Sequence, residues 1–68
     1  MNLTVELDRE EDGRWIVEIP ELNILLYGVS REDPIRTAED AAKLIIADRI
    51  ERGTLPRAAA HPVFAVSV

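Results

Sequence analysis

Cysteine is absent from this 68-residue chain, so no disulfide can staple it, and a single histidine (His61) leaves no ligand cluster to suggest a structural metal. Aromatic residues are almost missing: Trp15, Tyr27 and Phe64 are the whole set. No run of apolar residues approaches the ~20 needed to span a bilayer. The opening MNLTVELDREE has neither a basic segment nor an apolar one, so it predicts no signal peptide and a cytoplasmic location. Basic residues are scarce in the first half. Residues 1–33 hold three arginines against nine acids, a net charge of −6, whereas residues 34–68 hold five basic residues against four acids, a net of +1. An acidic front half disfavours phosphate backbones and anionic membranes. It suits a basic protein partner, although a solvated acidic face that only aids solubility is the plainer reading.

A chain this short buries only ~60% of the surface its unfolded form exposes. Small unstapled domains often gain stability by association, so a homodimer or homotetramer is expected before any motif is read.

What is present is strong patterning. Leu3, Val5 and Leu7 alternate with Thr4, Glu6 and Asp8, the two-residue period of a half-buried strand. Residues 9–13 (REEDG) break it, with Asp12-Gly13 as turn chemistry, both residues tolerating positive φ. Trp15, Val17 and Ile19 then alternate with Arg14, Ile16 and Glu18, completing a β-hairpin. Pro20 ends that strand because it lacks an N–H, and Glu21-Leu22-Asn23 turns the chain. Ile24 to Tyr27 is apolar on both faces, which predicts a strand central in the sheet or lying under a partner.

Gly28 releases this strand. Ser30 is a helix N-cap, its hydroxyl placed to accept from the N–H three residues on, and Glu32 and Asp33 sit at the positive end of the helix dipole. Pro34 falls in the first turn, where its missing N–H has no partner to lose. The helix runs to about Arg52, with Gly53 as its stop. Ile35, Ala38, Ala41, Ala42, Ile45, Ile46 and Ile50 form one apolar stripe, which Leu44 and Ala47 widen. Arg49 projects from within it, so its stem snorkels or it pairs with a carboxylate. A loop with room for a short helical turn after Pro56 leads to PVFAVSV, a charge-free last strand expected to be paired on both sides or covered by another subunit. The order is β-β-β-α-β in one α+β domain spanning residues 1–68, a mainly antiparallel sheet with one long helix on one face.

That order resembles the N-terminal domain of the HicB antitoxin family, a small partial RNase H-like fold. The residues that carry the resemblance are Glu11-Asp12-Gly13, Trp15, Pro20-Glu21-Leu22, Gly28-Val29-Ser30, Glu32-Asp33 and the helical alanines Ala38, Ala41 and Ala42, within residues 3–53. The chain departs from the family's pattern at Asn23-Ile24, where Pro-Gly is frequent, and at Pro34, where Ala is usual. The resemblance implies a short form without a DNA-binding domain, and a HicA-like toxin, a small basic mRNA-cleaving ribonuclease, as partner. It further implies that the acidic half, with Glu10, Glu11, Asp12, Glu18 and Glu21, covers the toxin's RNA-binding face. Gly13, Trp15, Pro20, Gly28 and Ser30 then serve the framework.

The rival readings are weaker. Asp8 with Glu18 or Asp48 could be cast as the carboxylates of a metal-dependent nuclease, but nothing in their spacing brings them together, and acids at hairpin ends and on helices are usually solvated. His61 lacks a catalytic partner, Trp15 reads as a core or interface anchor, and Ser30 reads as a cap rather than a nucleophile. Arg36, Lys43, Arg49, Arg52 and Arg57 are too dispersed for a nucleic-acid face. No catalytic residue, metal or cofactor is therefore expected. The alternative to the antitoxin is an orphan module that oligomerises or binds some other protein.

The capping reading has a direct check. Ser30→Ala should cost about 1 kcal/mol in chemical denaturation while leaving partner binding by the folded fraction intact.

Overall fold

The computed structural model describes residues 1–67. The first two segments form strands β1 (Asn2–Arg9) and β2 (Trp15–Ile19), followed by β3 (Ile24–Gly28), helix α1 (Glu32–Glu51) and β4 (Val63–Ser67). Val68, expected within the last strand, lies outside the described residues. The alternation read along the chain is the alternation of burial: Leu3, Val5, Leu7, Val17 and Ile19 are buried, and Glu6, Asp8 and Glu18 are exposed.

The strands form one sheet in the order β3-β2-β1-β4. The β1–β2 and β2–β3 pairs are antiparallel, whereas β4 runs parallel to β1. A parallel neighbour requires a crossover, and α1 supplies it. The helix lies on one face of the sheet, chiefly against β2 and β3. It buries Pro34, Ala38, Ala42 and Ile46, with Ile35, Ala41, Ile45 and Ile50 half-buried beside them. Small alanines at the contact let the helix approach the sheet closely. This is the small β-β-β-α-β domain of the α+β class.

In two placements the structure excludes one of the two expected alternatives, a central β3 and a β4 paired on both sides within the chain. β3 is an edge strand, not a central one: Leu25 and Tyr27 are 51% and 52% exposed on the face away from the helix. Ile24 and Leu26 pack on the core, but the apolar residues of the outer face do not reflect burial within this chain. β4 is paired on one side only, with β1, and its outer edge is free. A strand's sequence shows which residues suit a sheet but not which neighbours it has.

Local geometry follows the turn residues. Gly13 takes φ 91° and donates to the Glu10 carbonyl at 2.9 Å, while Glu10 N–H donates to the Arg14 carbonyl at 2.7 Å. Only Gly13 of the Asp12-Gly13 pair adopts positive φ. Asp12 contributes its carboxylate instead, accepting the Arg14 N–H at 3.0 Å. Pro20–Leu22 is one 3₁₀ turn, closed by Asn23 at φ 55°, where Asn is among the few non-glycine residues at ease. A second 3₁₀ turn, Arg57–Ala60, follows Pro56 and buries Ala59 against the core.

Helical backbone angles extend to Arg31 (φ −76°, ψ −41°), which leaves Ser30 as the cap; its hydroxyl accepts from Asp33 N–H at 3.4 Å, a long bond. At the other end Gly53 has φ 81° and donates to the Ile50 carbonyl, while Thr54 N–H reaches the Arg49 carbonyl at 2.9 Å. These two bonds are those of a Schellman stop. Half-buried Arg49 forms no ion pair among the described residues, which favours the snorkelling stem over a carboxylate partner.

The junction between β3 and α1 depends on a close approach. A Cβ at Gly28 would lie 2.7 Å from Pro34 Cγ and 2.8 Å from its Cδ. The proline ring is buried and rigid, so one of the two elements would have to move. Gly28→Ala should destabilise the domain by about 1–3 kcal/mol in urea denaturation. Adding Pro34→Ala should recover part of that loss. Additive effects of the two changes would show that the contact is not the cause.

Candidate protein-binding surface

One helix covers one face, and the other face of the sheet is open. The register defines what stands there. Glu6 of β1 is opposite Glu18 of β2, which is opposite Leu25 of β3. The next row on this face is Asp8, Ile16 and Tyr27. Together with Ser67 of β4 these side chains line a shallow depression of about 580 Å³. Three carboxylates on β1 and β2 thus stand beside an apolar strip made by Ile16, Leu25 and Tyr27 that runs out to the β3 edge. Like charges directly opposite one another, as at Glu6 and Glu18, weaken a sheet rather than strengthen it. The domain's own folding gives no reason for this pairing.

The surroundings of the strip are partly ordered by arginine. Arg14 stacks over the Tyr27 ring at 5.1 Å and pairs with Asp12 at 2.8 Å, so the hairpin turn and the exposed aromatic share one cation. On the helix side of the hairpin, Arg9 lies over half-buried Trp15 at 5.3 Å, which makes Trp15 a packed anchor at the margin of the core. Gly13, Pro20, Gly28 and Ser30 all serve turns or helix entry, as described above.

The five acids expected to meet a partner are not brought together. Glu10, Glu11 and Asp12 occupy the β1–β2 turn. Glu18 lies three residues further along β2, roughly 10 Å from that end at strand rise. Glu21 is beyond the opposite end, where its carboxylate accepts the Thr4 N–H at 3.1 and 3.2 Å. The β1–β2 pairing begins at Glu6, so this donor has no strand partner there and Glu21 replaces one. Glu6, Ile16, Leu25 and Tyr27, by contrast, escaped sequence reasoning as surface residues. The available signal was Ile16 on the polar phase of its strand together with β3's apolar outer phase.

Of the acids weighed for a nuclease, only Asp8 and Glu18 share a face. Asp8 and Glu18 project from the open face, whereas Asp48 belongs to α1 on the opposite side and pairs with Arg52 at 3.1 Å. Among the described residues, no group of three or more His, Cys, Asp or Glu is arranged to hold a metal ion. His61 is exposed at the end of the second 3₁₀ turn. Among the described residues no helix is long and apolar enough to cross a membrane. No family model, curated protein or solved structure matches this chain.

Two exposed carboxyls have perturbed acidity. Hydrogen bonds from its own N–H and from Thr4 hold Glu21 below its ordinary 4.5. The Arg14 backbone N–H, seconded by the guanidinium, holds Asp12 below its ordinary 3.8. A carboxyl with a lowered folded pKa stabilises the fold fully above its ordinary value, and that contribution is lost as pH falls through the lowered one. Stability measured by urea midpoint should therefore decline as pH drops below about 4.5. Glu21→Gln should make the decline shallower. An unchanged acid profile in that variant would remove the Thr4 contact from the cause.

Proposed function

We propose that this chain is a non-catalytic, antitoxin-like protein that neutralises a small basic ribonuclease of the HicA type by covering its RNA-binding face. The observation that carries the reading is the open sheet face, where Glu6, Asp8 and Glu18 on β1 and β2 stand beside the exposed Leu25 and Tyr27 of β3. An apolar strip with carboxylates along one side fits a basic protein surface with one or two apolar anchors. The charges steer the encounter, and the aromatic and leucine side chains supply the buried centre. The sequence resemblance to HicB antitoxins supports the same partner, and the small β-β-β-α-β domain is compatible with it. The turn acids Glu10, Glu11 and Asp12 extend the negative field at one end of the face. They act on the rate of association more than on the lifetime of the complex. Inhibition needs no chemistry from this chain, since occupying the surface that RNA must reach is sufficient. The site of action is then the cytoplasm, where mRNA is cleaved.

The test is titration of a purified HicA-type toxin with this protein, read both as binding and as protection of RNA. Glu6→Lys with Glu18→Lys should weaken binding at least about tenfold and flatten its salt dependence. Leu25→Ala with Tyr27→Ala should weaken it mainly through faster dissociation. Lys at Glu10, Glu11 and Asp12 together should slow association. Wild-type affinity and protection in the Glu6/Glu18 and Leu25/Tyr27 variants would remove the open face from the interface. RNA cleavage by the chain alone would overturn the non-catalytic reading.

A further inference from the structure

β4 leaves one edge of the sheet unfinished. Val63 N–H donates to the Met1 carbonyl at 2.8 Å, which sets the phase of the parallel ladder with β1. In such a ladder alternate residues of β4 turn both backbone groups toward β1. Val63, Ala65 and Ser67 do so, and the N–H and C=O of Phe64 and Val66 point out of the sheet. Natural edges are usually guarded by a charge, an inward-pointing lysine, a bulge or a covering loop. Val63–Ser67 has no charged residue, and Val63 and Val66 are 60% and 47% exposed.

We infer that this edge binds a second copy of the same chain, through antiparallel β4–β4 pairing about a two-fold axis at Ala65. The self-complementarity is in the residues. With Ala65 opposite its own counterpart, Phe64 of each copy faces Val66 of the other. The outward groups of these two residues then satisfy one another, giving four inter-chain hydrogen bonds. Phe64 and Val66 share the helix side, because they register with buried Leu3 and Val5, so both side chains are covered by the same step. The close approach at the axis falls on Ala65, whose side chain is small enough for the ~4.5 Å Cα separation of a non-hydrogen-bonded pair. Next to this edge lies a groove lined by Ile35 and Val66 and rimmed by Arg31, Glu32, Arg36 and Glu39. A rim carrying both signs of charge matches its own two-fold copy, where a rim of one sign would repel it.

The β3 edge is the less suitable one. Helix α1 packs over β3 and begins with Pro34 seated on Gly28, so a sheet added there would meet the helix start. At β4 the helix does not pack on the strand to the same extent, and its first turns border the edge across the groove beside Val66. The product is one eight-stranded sheet in the order β3-β2-β1-β4-β4-β1-β2-β3, with both acidic faces left open. This inference does not depend on the toxin reading.

The experiment combines sedimentation over a dilution series with amide exchange followed by NMR. The wild-type protein should be a dimer at high concentration, with the Phe64 and Val66 amides protected there and losing protection on dilution. Val66→Pro deletes an N–H that points away from β1, so the monomer should stay folded by circular dichroism. Two inter-chain bonds are lost per dimer, and dissociation should strengthen at least about tenfold. Val66→Lys should act likewise, as an edge guard. Tyr27→Lys at the β3 edge should leave the dimer intact. A folded monomer at every concentration would overturn the inference. So would a wild-type dimer with unprotected Phe64 and Val66 amides, or one that Tyr27→Lys dissociates and the Val66 variants do not.

Discussion

One helix is available to cover one sheet, and most of the surface described here depends on that shortage. Ala38, Ala42 and Ile46 seat α1 on the inner face through side chains small enough to bring helix and sheet together, closing a core that includes Leu3, Val5, Val17 and Ile19. The opposite face has no layer of its own. Stable domains bury each apolar face against another element, so a sheet with a single helix must keep its second face polar or find it a partner. Here the outcome is mixed: acids on β1 and β2, and leucine and tyrosine on β3.

The seating of the helix also sets the asymmetry of the edges. Because α1 lies toward β2 and β3, the Gly28–Pro34 contact fixes its entry at one edge and leaves β4 less covered at the other. The same offset exposes Val66 and opens the groove beside Ile35. Both candidate interfaces, the acidic face and the β4 edge, are thus consequences of one packing decision. They do not compete for surface. The face is open to a basic partner whether or not the edge is paired.

Charge works differently in the two halves. Around the first hairpin, Arg9 lies over Trp15 on the helix side, whereas Arg14, paired with Asp12 and stacked on Tyr27, sets one cation beside the face on which Glu6, Asp8 and Glu18 stand. Glu21 is engaged in a different way, as a stand-in for a missing strand partner of Thr4. An acid that looks like surface charge in the sequence is therefore a piece of the framework. Counting acids locates a field but not an interface.

The local structure was legible residue by residue. Alternation placed β1 and β2, Gly13 matched a left-handed position, and Ser30, Pro34 and Gly53 marked the two ends of α1, because each depends on the backbone preferences of a few neighbours. Strand order was not legible. β3 reads as a buried strand yet stands at an edge, since apolar residues on both faces suit either a central strand or an outer one with a partner. β4 could have paired on either side of the sheet, and only the crossover of α1 and the seating of its alanines put it beside β1 with one edge free. The candidate surface was partly visible, in Glu18 and the turn acids, but its centre was not. Ile16, Leu25 and Tyr27 come from two strands, and their meeting on one face with Glu6 and Asp8 is a matter of register, which long-range pairing decides.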